Sequence, residues 1–226
     1  MSDPLHRVNL SVEAAYNRWA ESYDQFDNPM IFIAEQALAR HHEDVAGSDI
    51  VEFGCGTGRN LVFFAHHGAR SVTGLDLSDG MLAKAAARDA SFHLIRQDLL
   101  APVPLPDASA DLVLFCLVLE HIDTTAIPLG EARRLLRPGG KIVVIEIHPY
   151  LSGDGIAAHF KDDGEEVHMP TYPHQFADHL NAFAQAGLTV ETCREWRPKD
   201  LDTPIPPKLM KRGDTARLVV EFVLTV

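Results

Sequence analysis

Ile50-Val51-Glu52-Phe53-Gly54-Cys55-Gly56-Thr57-Gly58, followed at Gly74-Leu75-Asp76-Leu77 by a second hydrophobic run ending in an acid, decides how this chain folds. Ile50, Val51 and Phe53 make a short apolar strand, and the three glycines at alternate positions let the backbone turn sharply and approach a ligand with no Cβ in the way. A helix is expected from about Arg59. In open α/β sheets the crevice at the carboxyl end of such a strand binds ligands, and a carboxylate closing the next strand can hold both hydroxyls of a ribose. Asp76 occupies that position. The pair of stretches therefore reads as a nucleotide-cofactor site.

Spacing narrows the cofactor. A dinucleotide fingerprint needs Gly-x-Gly-x-x-Gly; counted from Gly54, its last glycine would fall at position 59, which is Arg59. The order found is acid-x-Gly-x-Gly-x-Gly from Glu52 to Gly58, and it resembles motif I of class I S-adenosylmethionine-dependent methyltransferases. Other segments agree in order: Asp76 closes a second strand, Gln97-Asp98-Leu99 a third, Asp111 to Cys116 forms a fourth, and Leu135-Leu136-Arg137-Pro138-Gly139-Gly140-Lys141 leads into a fifth. The resemblance covers residues 45 to 148. Tyr16 to Asp24 adds a likeness to the amino-terminal helix of the ubiquinone and menaquinone biosynthesis branch (the type 11/25 methyltransferases).

Composition sets limits. A chain of 226 residues can bury one sizeable core and spend it on one domain. Hydrophobic content of 46% with 23% charged residues is that of an ordinary globular protein. Apolar runs fall short of the ~20 residues of a membrane helix, and Met1-Ser2-Asp3-Pro4 lacks the basic-then-apolar pattern of a secretory signal. Lysine and arginine total 20 against 32 acids, and the formal charge of -12 would repel a phosphate backbone, so nucleic acid is not the expected partner. Lys208, Lys211 and Arg212 form a small basic group in a proline-flanked loop and read as solvated. Cys55, Cys116 and Cys193 have no paired or metal-like spacing and are expected to be reduced thiols in the cytoplasm.

The predicted elements alternate. Helices are expected over 11–27 and 30–43, then strand 49–53, helix 58–67, strand 70–75, helix 79–89, strands 92–96 and 111–116, helix 124–136 and strand 141–147. A helix over 174–186 precedes strands near 188–196 and 216–225. Alternation of this kind predicts an α/β fold: a Rossmann-like, seven-stranded, mostly parallel sheet with helices on both faces, closed by the antiparallel carboxy-terminal hairpin that the resemblance implies. We expect a single domain over 1–226, divided into an amino-terminal helical lid (1–45), a cofactor-binding core (46–148), a cap insert (149–172) whose residues show no clear pattern, and the carboxy-terminal helix and hairpin (173–226).

The resemblance implies S-adenosylmethionine as cofactor, with S-adenosylhomocysteine as product. The turn of Gly54, Cys55, Gly56 and Gly58 would lie against its methionine and ribose portions. Asp76 would accept the ribose hydroxyls, Leu77 and Met81 would wall the adenine, and Asp98 with Leu99 would meet its amine. Glu52 and the Cys116 carbonyl would serve the methionine amino group. Tyr16, Trp19 and Tyr23 share one helical face, suited to covering the cofactor or to docking the helix. Tyr16, Arg18 and Trp19 are the cofactor contacts expected from it, with Tyr23 turned to the substrate.

Methyl transfer is an in-line displacement, which positioning and exclusion of water can largely supply; a base is needed where the acceptor has a proton to lose. His121 and His148 are the candidates, since histidine titrates near neutrality. Tyr150 and His159 are expected to line the substrate pocket. No metal is expected: His174 and His179 lie five residues apart, not the four that share a helix face. The expected reaction is transfer of a methyl group to an oxygen, nitrogen or carbon of a small molecule by a monomer or homodimer. A non-catalytic cofactor-binding module, an enzyme using the sulfonium as an electrostatic aid, and an RNA methyltransferase stay open as alternatives.

Overall fold

The computed structural model describes residues 6–25, 28–153, 155, 157–201, 203, 204, 206, 207 and 213–226. Lys208, Lys211 and Arg212 lie outside the described residues. In chain order the strands are β1 (His6–Asn9), β2 (Asp49–Phe53), β3 (Ser71–Asp76), β4 (His93–Arg96), β5 (Ala110–Cys116), β6 (Leu136–Ile147), β7 (His159–Asp162), β8 (Glu165–His168), β9 (Thr189–Trp196) and β10 (Val219–Thr225). The α-helices are α1 (Val12–Trp19), α2 (Pro29–Ala39), α3 (Arg59–His66), α4 (Asp79–Arg88), α5 (Ala126–Leu135), α6 (Pro149–Gly153) and α7 (Phe176–Gln185).

Seven strands form one sheet in the order β4-β3-β2-β5-β6-β10-β9. The first five pair in parallel, and β10 runs antiparallel to both β6 and β9. The chain order reverses at β2 and β5, and it is there that ligand crevices open in sheets of this type. Strand residues alternate between two cores. Leu112, Leu114, Val143 and Ile145 pack with Ile33, Ala37 and Leu38 of α2 and Phe64 of α3. Val113, Phe115, Ile142 and Val144 pack with Leu129 and Ala132 of α5 and Phe183 of α7. Period-two alternation with both faces apolar is what a sheet covered on both sides requires.

The cap differs from expectation. The amino-terminal helix stops at Trp19, with a single 3-10 turn at Tyr23–Gln25, instead of running to residue 27. Residues 6–9, given no element by the sequence, form a strand parallel to β8, and β7 and β8 make a hairpin in the insert that had shown no pattern. The resulting three-stranded sheet, β1-β8-β7, packs Phe160 and Val167 against Ala15, Trp19 and Met81. Four-residue strands hold too few alternating positions for periodicity to register. Among the described residues no helix is long and apolar enough to cross a membrane.

Candidate functional site

The site is built around the turn after β2. Gly54, Gly56 and Gly58 all take left-handed backbone angles, with φ of 75°, 52° and 77°. A Cβ on Gly54 would stand 2.3 Å from Val118 Cγ2, and one on Gly58 2.9 Å from Ala85 Cβ, so these two positions admit the close approach of the β5 loop and of α4. A Cβ on Gly56 would meet no protein atom within 4 Å. The turn is tied to β3 through Asp76, whose Oδ2 accepts from the Gly56 N–H at 2.8 Å and whose Oδ1 accepts from the Ser78 N–H at 2.9 Å. Burial raises the Asp76 carboxyl above its ordinary pKa, and these backbone donors pull it back. Each carboxylate oxygen keeps a further lone pair for a hydroxyl donor.

A cavity of about 310 Å³ opens over this turn. Tyr16, Tyr23, Glu52, Gly54, Cys55, Gly56, Asp76, Leu77, Met81, Asp98, Leu99, Cys116 and His121 all line it, brought together from five separate parts of the chain. Glu52 is 1% exposed. Its Oε1 accepts from Asn60 Nδ2 at 2.7 Å, while Oε2 is buried with no hydrogen-bond partner among the described residues. Burial, with Asp76 nearby adding to it, pushes the Glu52 carboxyl up to about 8.

The other side of the cavity is a buried relay. His121 Nδ1 lies 3.0 Å from the Pro170 carbonyl, which can only accept, so Nδ1 carries the proton and Nε2 accepts from the Tyr16 hydroxyl at 2.8 Å. Burial lowers the His121 pKa and raises that of Tyr16 well above its usual value, so both are neutral near pH 7. The loop carrying His121 is fixed from beneath by Glu146, whose Oε1 accepts from the N–H groups of Val118 and Leu119 at 3.0 and 2.9 Å. Burial pushes Glu146 up to about 7 and Glu120 up to about 8, the latter also through the Glu146 charge.

Six expected site residues lie away from the cavity wall. Arg18, expected as a cofactor contact, turns toward the cap hairpin, donating to Asp162 at 2.6 Å and Glu165 at 2.8 Å. Trp19 stacks on Phe160 with centroids 4.6 Å apart, so of the two readings of its face, docking is the one realised. Gly58 caps α3 and packs on Ala85. His148 is buried against Phe176 and bonded to Glu195 at 3.1 Å, outside the cavity, because β6 delivers it beyond the strand ends that line the site. Tyr150 is 67% exposed, and His159 stacks on His168 on the cap surface, so neither lines this pocket.

Sequence reasoning passed over Arg59, Asn60, Glu120 and Glu146. The signal for Glu146 was present: an acid inside the apolar run Val143-Val144-Ile145-Glu146-Ile147 is buried at a cost, as Glu52 is in its own strand. Among the described residues no group of His, Cys, Asp and Glu is placed to hold a metal ion.

Residues 51–144 match the family model described as "Methyltransferase domain". The demethylmenaquinone methyltransferase of Tropheryma whipplei is 33% identical over 144 residues, covering 61% of this chain and 60% of that one. The malonyl-(acyl-carrier protein) O-methyltransferase of Pseudescherichia vulneris is 30% identical over 187 residues, 83% of this chain and 68% of that one. The chain spans about half to three fifths of the length of the curated relatives it matches first. Among solved structures, an S-adenosylmethionine dependent methyltransferase from Mesorhizobium loti superposes with a TM-score of 0.70 at 27% identity, over 86% of this chain and 99% of that one.

Proposed function

We propose, from the premise that this chain belongs to the S-adenosylmethionine-dependent methyltransferases, that residues 1–226 act as one domain transferring a methyl group from that cofactor to an oxygen, nitrogen or carbon of a small molecule. The observation that carries the reading is a single cavity with complementary fittings at its walls. Glu52 Oε2 is a buried acceptor with no donor of its own. Gly56 has no protein atom within 4 Å of where its Cβ would stand, and Asp76 has spare acceptor capacity for two hydroxyls. An amino-acid end, a ribose and a purine meet, in that order, an unsatisfied acid, a side-chain-free turn and the Asp98-Leu99 corner. The residues present therefore fit S-adenosylmethionine.

That cofactor supplies an electrophilic methyl group on a sulfonium. The chain's own residues hold and shield it. Asp76 orients the ribose, Glu52 and the Cys116 carbonyl the amino group, and Leu77, Met81, Asp98 and Leu99 the base. Tyr16 closes the cavity from α1, and its ring excludes water from the reacting centre. Where the acceptor has a proton to lose, the Tyr16 hydroxyl oxygen takes it while passing its own proton to His121 Nε2, which leaves a neutral tyrosine and an imidazolium held by the Pro170 carbonyl. Tyr23 lines the same space and is assigned to the acceptor.

The net charge of -12 speaks for a small molecule over RNA. The test has two steps. Calorimetric titration with S-adenosylhomocysteine is expected to give one site with micromolar affinity, and no binding at high micromolar ligand overturns the cofactor assignment. A screen of acceptor classes, read as S-adenosylhomocysteine release, then separates an enzyme from a non-catalytic binding module: release with no acceptor across the screen favours the latter.

A further inference from the structure

One end of the cavity contains an acid with no counter-charge and a cation placed on the next helix. Glu52 accepts a single side-chain hydrogen bond, from Asn60, and is in no ion pair among the described residues. The groups facing it are Asn60 from α3, the Cys55 thiol from the glycine turn, Asp76 from the end of β3 and the Cys116 thiol from the end of β5. None is a cation; Asp76 is a second acid, and burial holds both thiols in their neutral form. An ionised carboxylate buried among such neighbours is costly, and the usual escape is to keep its proton. Arg59, beside Asn60, lines the same cavity with Nη2 3.1 Å from Glu35 Oε1, and its charge is felt at Tyr23 and Cys116. Among the described lining residues it is the one permanently charged cation.

We infer that Glu52 holds a proton in the ligand-free protein and releases it when an α-amino-acid end of a ligand enters, and that Arg59 receives the carboxylate of that same end. The inference rests on the cofactor reading above and adds a linkage that the reading does not require. The ligand arrives with its ammonium intact. The Glu52 O–H bond breaks, the proton leaves to the buffer, and the new carboxylate pairs with the ammonium through Oε2. Binding thus exchanges a neutral acid for a buried ion pair, and affinity must rise with pH below the range where free Glu52 titrates, near 8. Arg59 shifts from Glu35, an exposed partner, to a carboxylate it can grip with two parallel N–H bonds.

The experiment is calorimetric titration of the full chain at one pH near neutrality in two buffers of different ionisation enthalpy. S-adenosylhomocysteine is compared with 5′-methylthioadenosine, which has the adenosine and thioether but no amino-acid end. The expected result is release of close to one proton with S-adenosylhomocysteine and none with 5′-methylthioadenosine, and an affinity for the former that falls about tenfold per pH unit below neutrality. Because both ligands carry the ribose, any proton lost at Asp76 appears in both and cancels. Glu52→Gln is expected to abolish the proton release, and its retained binding of 5′-methylthioadenosine shows it to be folded. Arg59→Gln is expected to weaken S-adenosylhomocysteine by about tenfold or more and 5′-methylthioadenosine by less than about twofold. S-adenosylhomocysteine binding without proton release, or equal release with both ligands, overturns the inference and leaves the cofactor reading standing. Binding of neither ligand overturns both.

Discussion

At the scale of single residues the turn after β2 makes the firmest predictions. Gly54 combines a φ of 75° with a Cβ position 2.3 Å from Val118 Cγ2, so Gly54→Ala must push away the loop that leads to His121. We expect a loss of about 1–3 kcal/mol from backbone strain and overpacking. Trimming Val118 to Ala in the same chain should recover part of it; a Gly54→Ala protein with unchanged denaturant midpoint would refute the contact. Tyr16→Phe removes the hydroxyl bonded to His121 Nε2 but keeps the ring. Its expected signature is S-adenosylhomocysteine affinity within about twofold of wild type and a methyl-transfer rate lower by about tenfold to a hundredfold on an acceptor that must lose a proton. An unchanged rate on such an acceptor would remove Tyr16 from the relay. These two residues mark what sequence could reach. The glycines, Glu52 and Asp76 are legible because the turn and strand that place them are local. The Tyr16–His121 pair spans 105 positions, and nothing in either neighbourhood announces the other.

The lid is a matter of elements. α1 docks on α4 through Asn17, whose Oδ1 accepts from the Ser78 hydroxyl and the Gly80 N–H, each at 2.8 Å, and Gly80 has no side chain because Ala20 and the Asn17 backbone lie where its Cβ would be. Ion pairs from Glu21 to Lys84 and Asp24 to Arg88 surround this joint, yet partly exposed pairs of this kind contribute at most about 1 kcal/mol each. The amide is the stronger fastening because its loss strands a donor at the joint. Asn17→Ala is therefore expected to cost about 1–3 kcal/mol. The loss should appear as faster proteolytic cleavage between α1 and α2 than in a Lys84→Ala control, with bound S-adenosylhomocysteine slowing both. Equal cleavage of the two variants would assign the lid to its ion pairs instead. The core elements β2, α3, β3, α4 and β5 fall within a few residues of their sequence-based bounds, since each carries a strong period. The β1-β8-β7 sheet escaped notice because its strands are four residues each and β1 pairs with a strand far along the chain.

For the whole molecule the buried acids and histidines set how stability depends on pH. Glu52 and Glu120 are pushed up to about 8 and Glu146 to about 7, all chiefly by burial, so the folded chain holds protons that the unfolded chain gives up near pH 4.3. Their contribution is full below that value and is lost as pH rises toward 8. Burial acts in the opposite sense on histidine: His179 is pushed down to about 4, and His121 and His148 are lowered, so their contribution is present above about pH 6.5 and lost as pH falls. Asp49, Asp111 and Glu131, held low by arginine and backbone partners, add a loss confined to strongly acid pH. From about pH 4.3 to 6.5 the acids and histidines oppose one another. Above that the histidines of the unfolded chain finish losing their protons within about one pH unit, and the three glutamates then dominate the slope. The ligand-free protein is therefore expected to lose several degrees of Tm between about pH 6.5 and 8, with Glu146→Gln showing a shallower fall. Saturating S-adenosylhomocysteine should flatten the slope further, because the proton on Glu52 is then gone at every pH in the window. A Tm that stays level or rises across that interval would mean that water or rearrangement has already ionised these acids in the folded state.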